Sequence, residues 1–215
     1  MSSLISPFNV AITTFGLSAF IYFLFQKKLL SKSLTKIVAR IFFYPTFPIT
    51  AALRIGNYWT HIDDTVTLGC APFNILGHPK LMWKDGIRGV VNMCDEYPGP
   101  RRAYDELGIK QLRLPAIDHF EASLVQMQEA IKFINLFKQR GERVYVHCKA
   151  GHGRAASIAL CWLIYQNPEM TPKDLNAVLS KKRKVRKTLF EQTNVKSFYE
   201  YSKTIREKLL DKTSS

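Results

Sequence analysis

The alternation of apolar and polar positions divides the chain into three stretches. Residues Phe8 to Phe25 run for 18 positions without a charge and are followed at once by Gln26-Lys27-Lys28. That length is about the minimum for a membrane span. The basic residues follow the apolar run instead of preceding it, and no small-residue cleavage site is evident, so an uncleaved anchor over residues 1–36 is expected in preference to a signal peptide. A buried hairpin helix of a soluble domain fits the same run. The Lys and Arg just after it place the remainder of the chain on the cytoplasmic or matrix side of a membrane. A second apolar stretch, Ile37 to Leu53, contains Arg40, Pro45 and Pro48. The prolines predict a break, giving a short amphipathic helix on the membrane and an irregular approach within residues 37–57.

From Tyr58 the pattern changes to short apolar runs alternating with longer amphipathic ones, and residues 58–210 read as one domain. Strands are predicted at Thr65 to Leu68, Gly89 to Met93, Gln111 to Leu114 and Arg143 to His147, all short and rich in branched or aliphatic residues. Helices are predicted at Pro79 to Asp85, Ala103 to Leu107, Ser123 to Arg140, Arg154 to Gln166, Pro172 to Lys182 and Glu191 to Leu210. Within the Ser123 helix, Leu124, Met127, Ala130, Ile131, Ile134 and Phe137 recur at helical spacing along one face. This alternation predicts an α/β fold with a largely parallel central sheet flanked by helices.

Charge sharpens the picture. The chain carries 31 Lys and Arg against 17 Asp and Glu, a formal charge of +14, which favours an anionic partner. No acidic residue precedes Asp63, so the N-terminal arm is both apolar and basic. Four cysteines without a C-x-x-C spacing argue against a disulfide framework or a zinc site. No metal or cofactor is expected, nor is nucleic acid as a partner, and a monomer is the expected state.

The chemistry is concentrated in Val144-Tyr145-Val146-His147-Cys148-Lys149-Ala150-Gly151-His152-Gly153-Arg154, a strand, a glycine-punctuated turn and a helix start. A turn closed by a helix N-terminus presents successive backbone N–H groups toward one point, a ready anion site. Gly151 and Gly153 let the backbone curl. Arg154 offers two parallel donors to phosphate oxygens, which Lys cannot reproduce. A cysteine in that positive cup is expected to act as the thiolate, the nucleophilic form. Cys148, Arg154 and the cradle residues Lys149, Ala150, Gly151, His152 and Gly153 therefore point to covalent phosphoryl transfer through a phosphocysteine. Among acids, Asp118 follows a strand about thirty residues before the nucleophile and is the best candidate proton donor, with a cap on the following helix as the alternative role.

His147 to Arg154 resembles the signature loop of the protein tyrosine phosphatase superfamily, in its dual-specificity branch. Ala39 to Thr46, Ile62 to Gly69, Gly89 to Tyr97 and Val144 to Gly151 are similar to the phosphatidylglycerophosphate phosphatases of that branch, a likeness covering roughly residues 37 to 205. The resemblance implies a dual-specificity-phosphatase-like domain, the same role for Asp118, a phospholipid monoester as substrate, and a mitochondrial inner membrane facing the matrix. The cytosolic face of the endoplasmic reticulum is the alternative location. It also implies that the acidic, tyrosine-containing loop Asp95-Glu96-Tyr97 orients Arg154 or shapes the pocket rim, and that Lys149 and His152 favour a substrate with extra negative charge. His147 is expected to hydrogen-bond around the thiolate.

One departure stands out: most relatives place Ser or Thr directly after the loop arginine, and this chain has Ala155. Two rival readings therefore stay open, a dual-specificity protein phosphatase and a membrane-tethered phosphate-binding module. Finally, residues Lys181 to Lys187 hold six basic residues in seven. On a membrane-anchored domain they favour contact with anionic lipid head groups, with a nuclear localisation signal or a solvated helix end as the alternatives.

Overall fold

The computed structural model describes residues 7–213; the first six residues of the expected anchor lie outside that range. Five strands form one sheet: β1 (Trp59–His61), β2 (Val66–Gly69), β3 (Ile87–Cys94), β4 (Lys110–Ala116) and β5 (Arg143–His147). Their order is β1-β2-β5-β3-β4, with β1 antiparallel and the rest parallel. Val144 to His147 of β5 are all buried, as expected of a strand flanked on both edges and covered on both faces. The loop after β5 thus leaves the middle of the sheet at the carboxyl ends of its parallel strands, where ligand crevices of α/β sheets form.

The helices are α1 (Pro7–Gln26), α2 (Lys32–Ala52), α3 (His78–Lys84), α4 (Arg101–Glu106), α5 (Leu124–Lys138), α6 (Arg154–Gln166), α7 (Pro172–Lys182) and α8 (Thr193–Thr213). Ser123 starts α5 with a reciprocal capping box: its hydroxyl accepts from the Gln126 N–H and the Gln126 side chain accepts from the Ser123 N–H. Leu160, Cys161 and Trp162 of α6 are fully buried, which makes α6 the central helix of the domain. The four predicted strands and the six helices of the domain all form, with ends displaced by a few residues. The three-residue β1 escapes a periodicity reading because Trp-Thr-His is too short to show alternation.

Two features of the N-terminal third differ from expectation. First, α2 is one helix through both prolines. Phe43 and Phe47 of α2 are buried in the main apolar core, where Phe43 stacks on Tyr97 at 5.1 Å and Phe47 meets Phe73 at 4.4 Å. Burial of two aromatic side chains, roughly 1.5–3 kcal/mol each, offsets a large part of the local cost of the two prolines. Second, α2 is therefore part of the domain's core as well as an approach to it. Its opposite side leaves Leu34, Ile37, Ile41 and Tyr44 about half exposed.

Helix α1 is long and apolar enough to cross a membrane, by length and composition. Most of it is exposed, except at its last turns, where Phe25 is buried and Ile21 and Tyr22 pack with Phe42 and Val38 of α2. The buried-helix alternative does not describe this segment.

Candidate active site

The loop from Cys148 to Gly153 joins β5 to the first turn of α6, and its curvature is set by Gly151. That residue has φ +62°, and a Cβ there would lie 2.5 Å from the Gly69 carbonyl oxygen, a backbone atom. Left-handed geometry and a close backbone approach both require glycine. Gly151 is buried behind the loop, whereas Cys148, Lys149, Ala150, His152, Gly153 and Arg154 line a cavity of about 290 Å³. Asp118 and Arg186 line it as well. A larger groove of about 460 Å³ lies elsewhere, between α5 and α8, and its lining contains no cysteine.

Arg154 is held from behind. Its Nη1 and Nη2 donate to the two carboxylate oxygens of Glu96 at 2.8 and 2.7 Å, and Nη1 also donates to the Ala116 carbonyl at 2.8 Å. Both partners are almost fully buried, so the guanidinium plane is fixed before any ligand arrives. The second face of the fork differs: Nη2 lies 3.0 Å from Asp118, and the buried Nε has no hydrogen-bond partner. That leaves a buried donor edge on Arg154 that a ligand oxygen can meet.

Burial pushes the Asp118 carboxyl up, but Arg154, helped by His119 and Lys149, outweighs it, and the net shift is downward. Arg154 is disfavoured by burial, yet Asp118 and Glu96 together hold it cationic, well above its usual value. Burial lowers Lys149, against the pull of Asp118 and Glu96; its ammonium donates to Thr46 Oγ1 at 2.5 Å and sits over the Phe43 ring at 5.4 Å. Helix α2 therefore touches the cradle itself.

Of the acidic loop, Glu96 is the residue that reaches Arg154. Asp95 turns outward to Arg40 and Lys36, and Tyr97 donates its hydroxyl to the Pro72 carbonyl; neither lines the cavity. His147 is fully buried, and burial pushes its imidazole down to about 3. Its Nδ1 lies 3.4 Å from the Cys148 carbonyl, so it contacts the backbone of Cys148 and not its sulfur. His152 likewise bonds the Lys184 carbonyl through Nδ1 at 3.2 Å.

The basic run also needs correction. Arg183 is 3% exposed and donates to the carbonyls of Asn57 at 2.8 Å, Gly151 at 3.2 Å and Ala150 at 3.4 Å. A guanidinium buried beneath the cradle thus ties down the carbonyls of Ala150 and Gly151 on the side away from the cavity. Arg186 contributes to the cavity wall, and its N–H donates to the His152 carbonyl at 3.1 Å. Lys181, Lys184 and Lys187 remain exposed. Charge density alone does not distinguish these three fates.

A thiol at the floor of an anion cradle, facing an arginine pre-set by a buried carboxylate, on this mostly parallel sheet, defines a cysteine-based phosphatase. The catalytic-domain profile of the dual specificity phosphatases matches residues 74–207, and the chain belongs to that family. It is 33% identical over 158 residues to the human phosphatidylglycerophosphatase and protein-tyrosine phosphatase 1, covering 68% of this chain and 78% of that one. It is 34% identical over 135 residues to the phosphatidylglycerophosphate phosphatase PTPMT2 of Arabidopsis thaliana, covering 58% of this chain and 57% of that one. Among solved structures, that of PTPMT1 in complex with PI(5)P superposes with a TM-score of 0.62 at 25% identity, over 70% of this chain and 99% of that one.

Proposed function

We propose that this phosphatase hydrolyses the phosphate monoester of an anionic membrane phospholipid, with phosphatidylglycerophosphate, converted to phosphatidylglycerol, as the specific substrate. The observation that carries this reading is the surplus of cationic groups: Lys149 and Arg186 line the cavity beyond Arg154, more positive charge than a single monoester needs. The names of the relatives support it, as does the apolar helix α1, which suits a chain seated in a bilayer. The mitochondrial inner membrane, matrix side, is the proposed setting, from the resemblance and the acid-free N-terminal arm. The cytosolic face of the endoplasmic reticulum is the alternative, and fractionation of the tagged chain decides between them.

In the first chemical step the Cys148 sulfur attacks phosphorus in line and the ester P–O bond breaks. The departing alkoxide takes a proton from Asp118. Arg154 donates through Nε and Nη2 to phosphate oxygens, displacing Asp118 from Nη2; the freed carboxyl, beside a phosphate dianion, regains the proton affinity that an acid requires. In the second step water attacks the phosphocysteine, the thiolate leaves, and Asp118 takes the water proton.

Two measurements test this reading. Phosphate release from a panel of phospholipid vesicles should exceed release from phosphotyrosine, phosphoserine and phosphothreonine peptides; the reverse order establishes the protein-phosphatase reading instead. For Asp118→Asn, hydrolysis of alkyl phosphates should fall about 10²–10⁴-fold, with a smaller loss on an activated aryl phosphate whose leaving group needs no proton. Equal losses reduce Asp118 to a structural partner of Arg154.

The weak-enzyme reading has its own observation. Ala155 is fully buried, and the nearby Ser157 hydroxyl is committed to the Arg154 carbonyl at 2.7 Å, so neither offers a donor to the departing thiolate. Breakdown of phosphocysteine is therefore expected to limit turnover, visible as a burst followed by a slow steady state. Ala155→Ser should raise the steady rate by about 10-fold or more, since a hydrogen bond to a charged group is worth about 1.5–3 kcal/mol, with the burst nearly unaltered. Absence of phosphate release from every ester, with phosphate analogues still bound, turns the chain into a phosphate-binding module.

A further inference from the structure

The chemistry above does not use the end of α1, yet Tyr22, Phe25 and Gln26 line the same cavity as Cys148 and Asp118. Phe25 is 4% exposed, although most of the helix before it is open. Its ring meets the His119 imidazole edge-on, with centroids 4.6 Å apart. Just beyond the helix, Lys32 lies over the Phe120 ring at 5.8 Å. The segment Asp118 to Phe120 is thus held by two contacts from the N-terminal arm.

That segment needs holding. His119 has φ +68°, one of two non-glycine residues with positive φ among the described residues. Such a conformation costs roughly 1–2 kcal/mol for a residue with a Cβ and persists only where the surroundings impose it. The His119 Nε2 is buried without a hydrogen-bond partner, so packing, with Phe25 as a principal neighbour, sets the ring. The His119 N–H in turn donates to Asp118 Oδ1 at 3.1 Å. The chain of contact runs from the end of the apolar helix to the acid.

We infer that Phe25 is a positioning residue for proton donation: through His119 it fixes Asp118 on the leaving-group side of the cavity. The inference rests on the assignment of Asp118 as the acid. Acid catalysis is then coupled to the seating of α1 against the domain, and a chain whose apolar helix is displaced keeps its nucleophile and anion cradle but donates protons poorly.

The test uses the full chain in detergent micelles containing, in parallel, an alkyl phosphate and an activated aryl phosphate. Phe25→Ala should lower kcat/KM for the alkyl ester about 10–100-fold and for the aryl ester far less, and Phe25→Leu should recover part of the loss. In an Asp118→Asn background the same change should add almost nothing. His119→Ala, which removes the contact from the loop side and leaves α1 intact, should copy the selectivity and decides the matter if Phe25→Ala does not fold. Equal losses on both esters, no loss, or additivity with Asp118→Asn overturns the inference. If Asp118→Asn alone shows no leaving-group selectivity, the acid assignment fails and the inference falls with it, while the phosphatase reading stands or falls on Cys148.

Discussion

Cys148→Ser is expected to lower phosphate release by about four to six orders of magnitude, the scale on which enzymes lose activity when a covalent nucleophile is removed. A serine hydroxyl fits the same space but stays protonated and is a far weaker nucleophile. The cradle does not depend on the sulfur: its curvature comes from Gly151, its support from Arg183, and its cation from Arg154. Binding of a phosphate analogue should therefore persist, measured by calorimetry on the same preparation. Parent-level turnover in the serine variant would falsify the covalent route, and loss of both binding and turnover would mean that the sulfur shapes the loop.

Arg154→Lys is the second large effect. The parent guanidinium satisfies Glu96 with two donors while keeping Nε and one edge of Nη2 for the cavity. An ammonium has three donors around a single point and cannot serve a carboxylate behind it and two phosphate oxygens before it in one plane. Turnover should fall about 10²–10³-fold, as when a fixed donor to a transition-state oxyanion is lost. Because Lys keeps a positive charge opposite Glu96 and Asp118, the variant should still unfold cooperatively, which thermal melting followed by circular dichroism checks. Turnover near the parent rate would mean that charge, and not the planar fork, is what the site requires.

The catalytic loop was legible in the sequence because it is local: strand, glycines and arginine fall within eleven consecutive residues, and each acts on its neighbours. Asp118 and Glu96 were legible in a weaker sense, as acids following strands at the same sheet edge. Arg183 was not, since its burial depends on carbonyls of Ala150 and Gly151 more than thirty residues away. The unbroken α2 was missed for a related reason. Local propensity penalises Pro45 and Pro48, and only the long-range stacking of Phe43 and Phe47 against Phe73 and Tyr97 tells which effect wins. The seating of Phe25 on His119 likewise has no signature in residue spacing, because an apolar run reads the same whether its last turn meets lipid or protein.

The strand order carries a consequence for how the chain is made. Because β5 lies between β2 and β3, those two earlier strands have no pairing with each other and must wait for β5, which begins at Arg143, well after β3 ends at Cys94. During that interval β2 and one edge of β3 are open templates for mispairing. Arg183, which braces the catalytic loop, emerges later still. A nascent chain halted before α7 therefore holds its cysteine without a finished phosphate cradle.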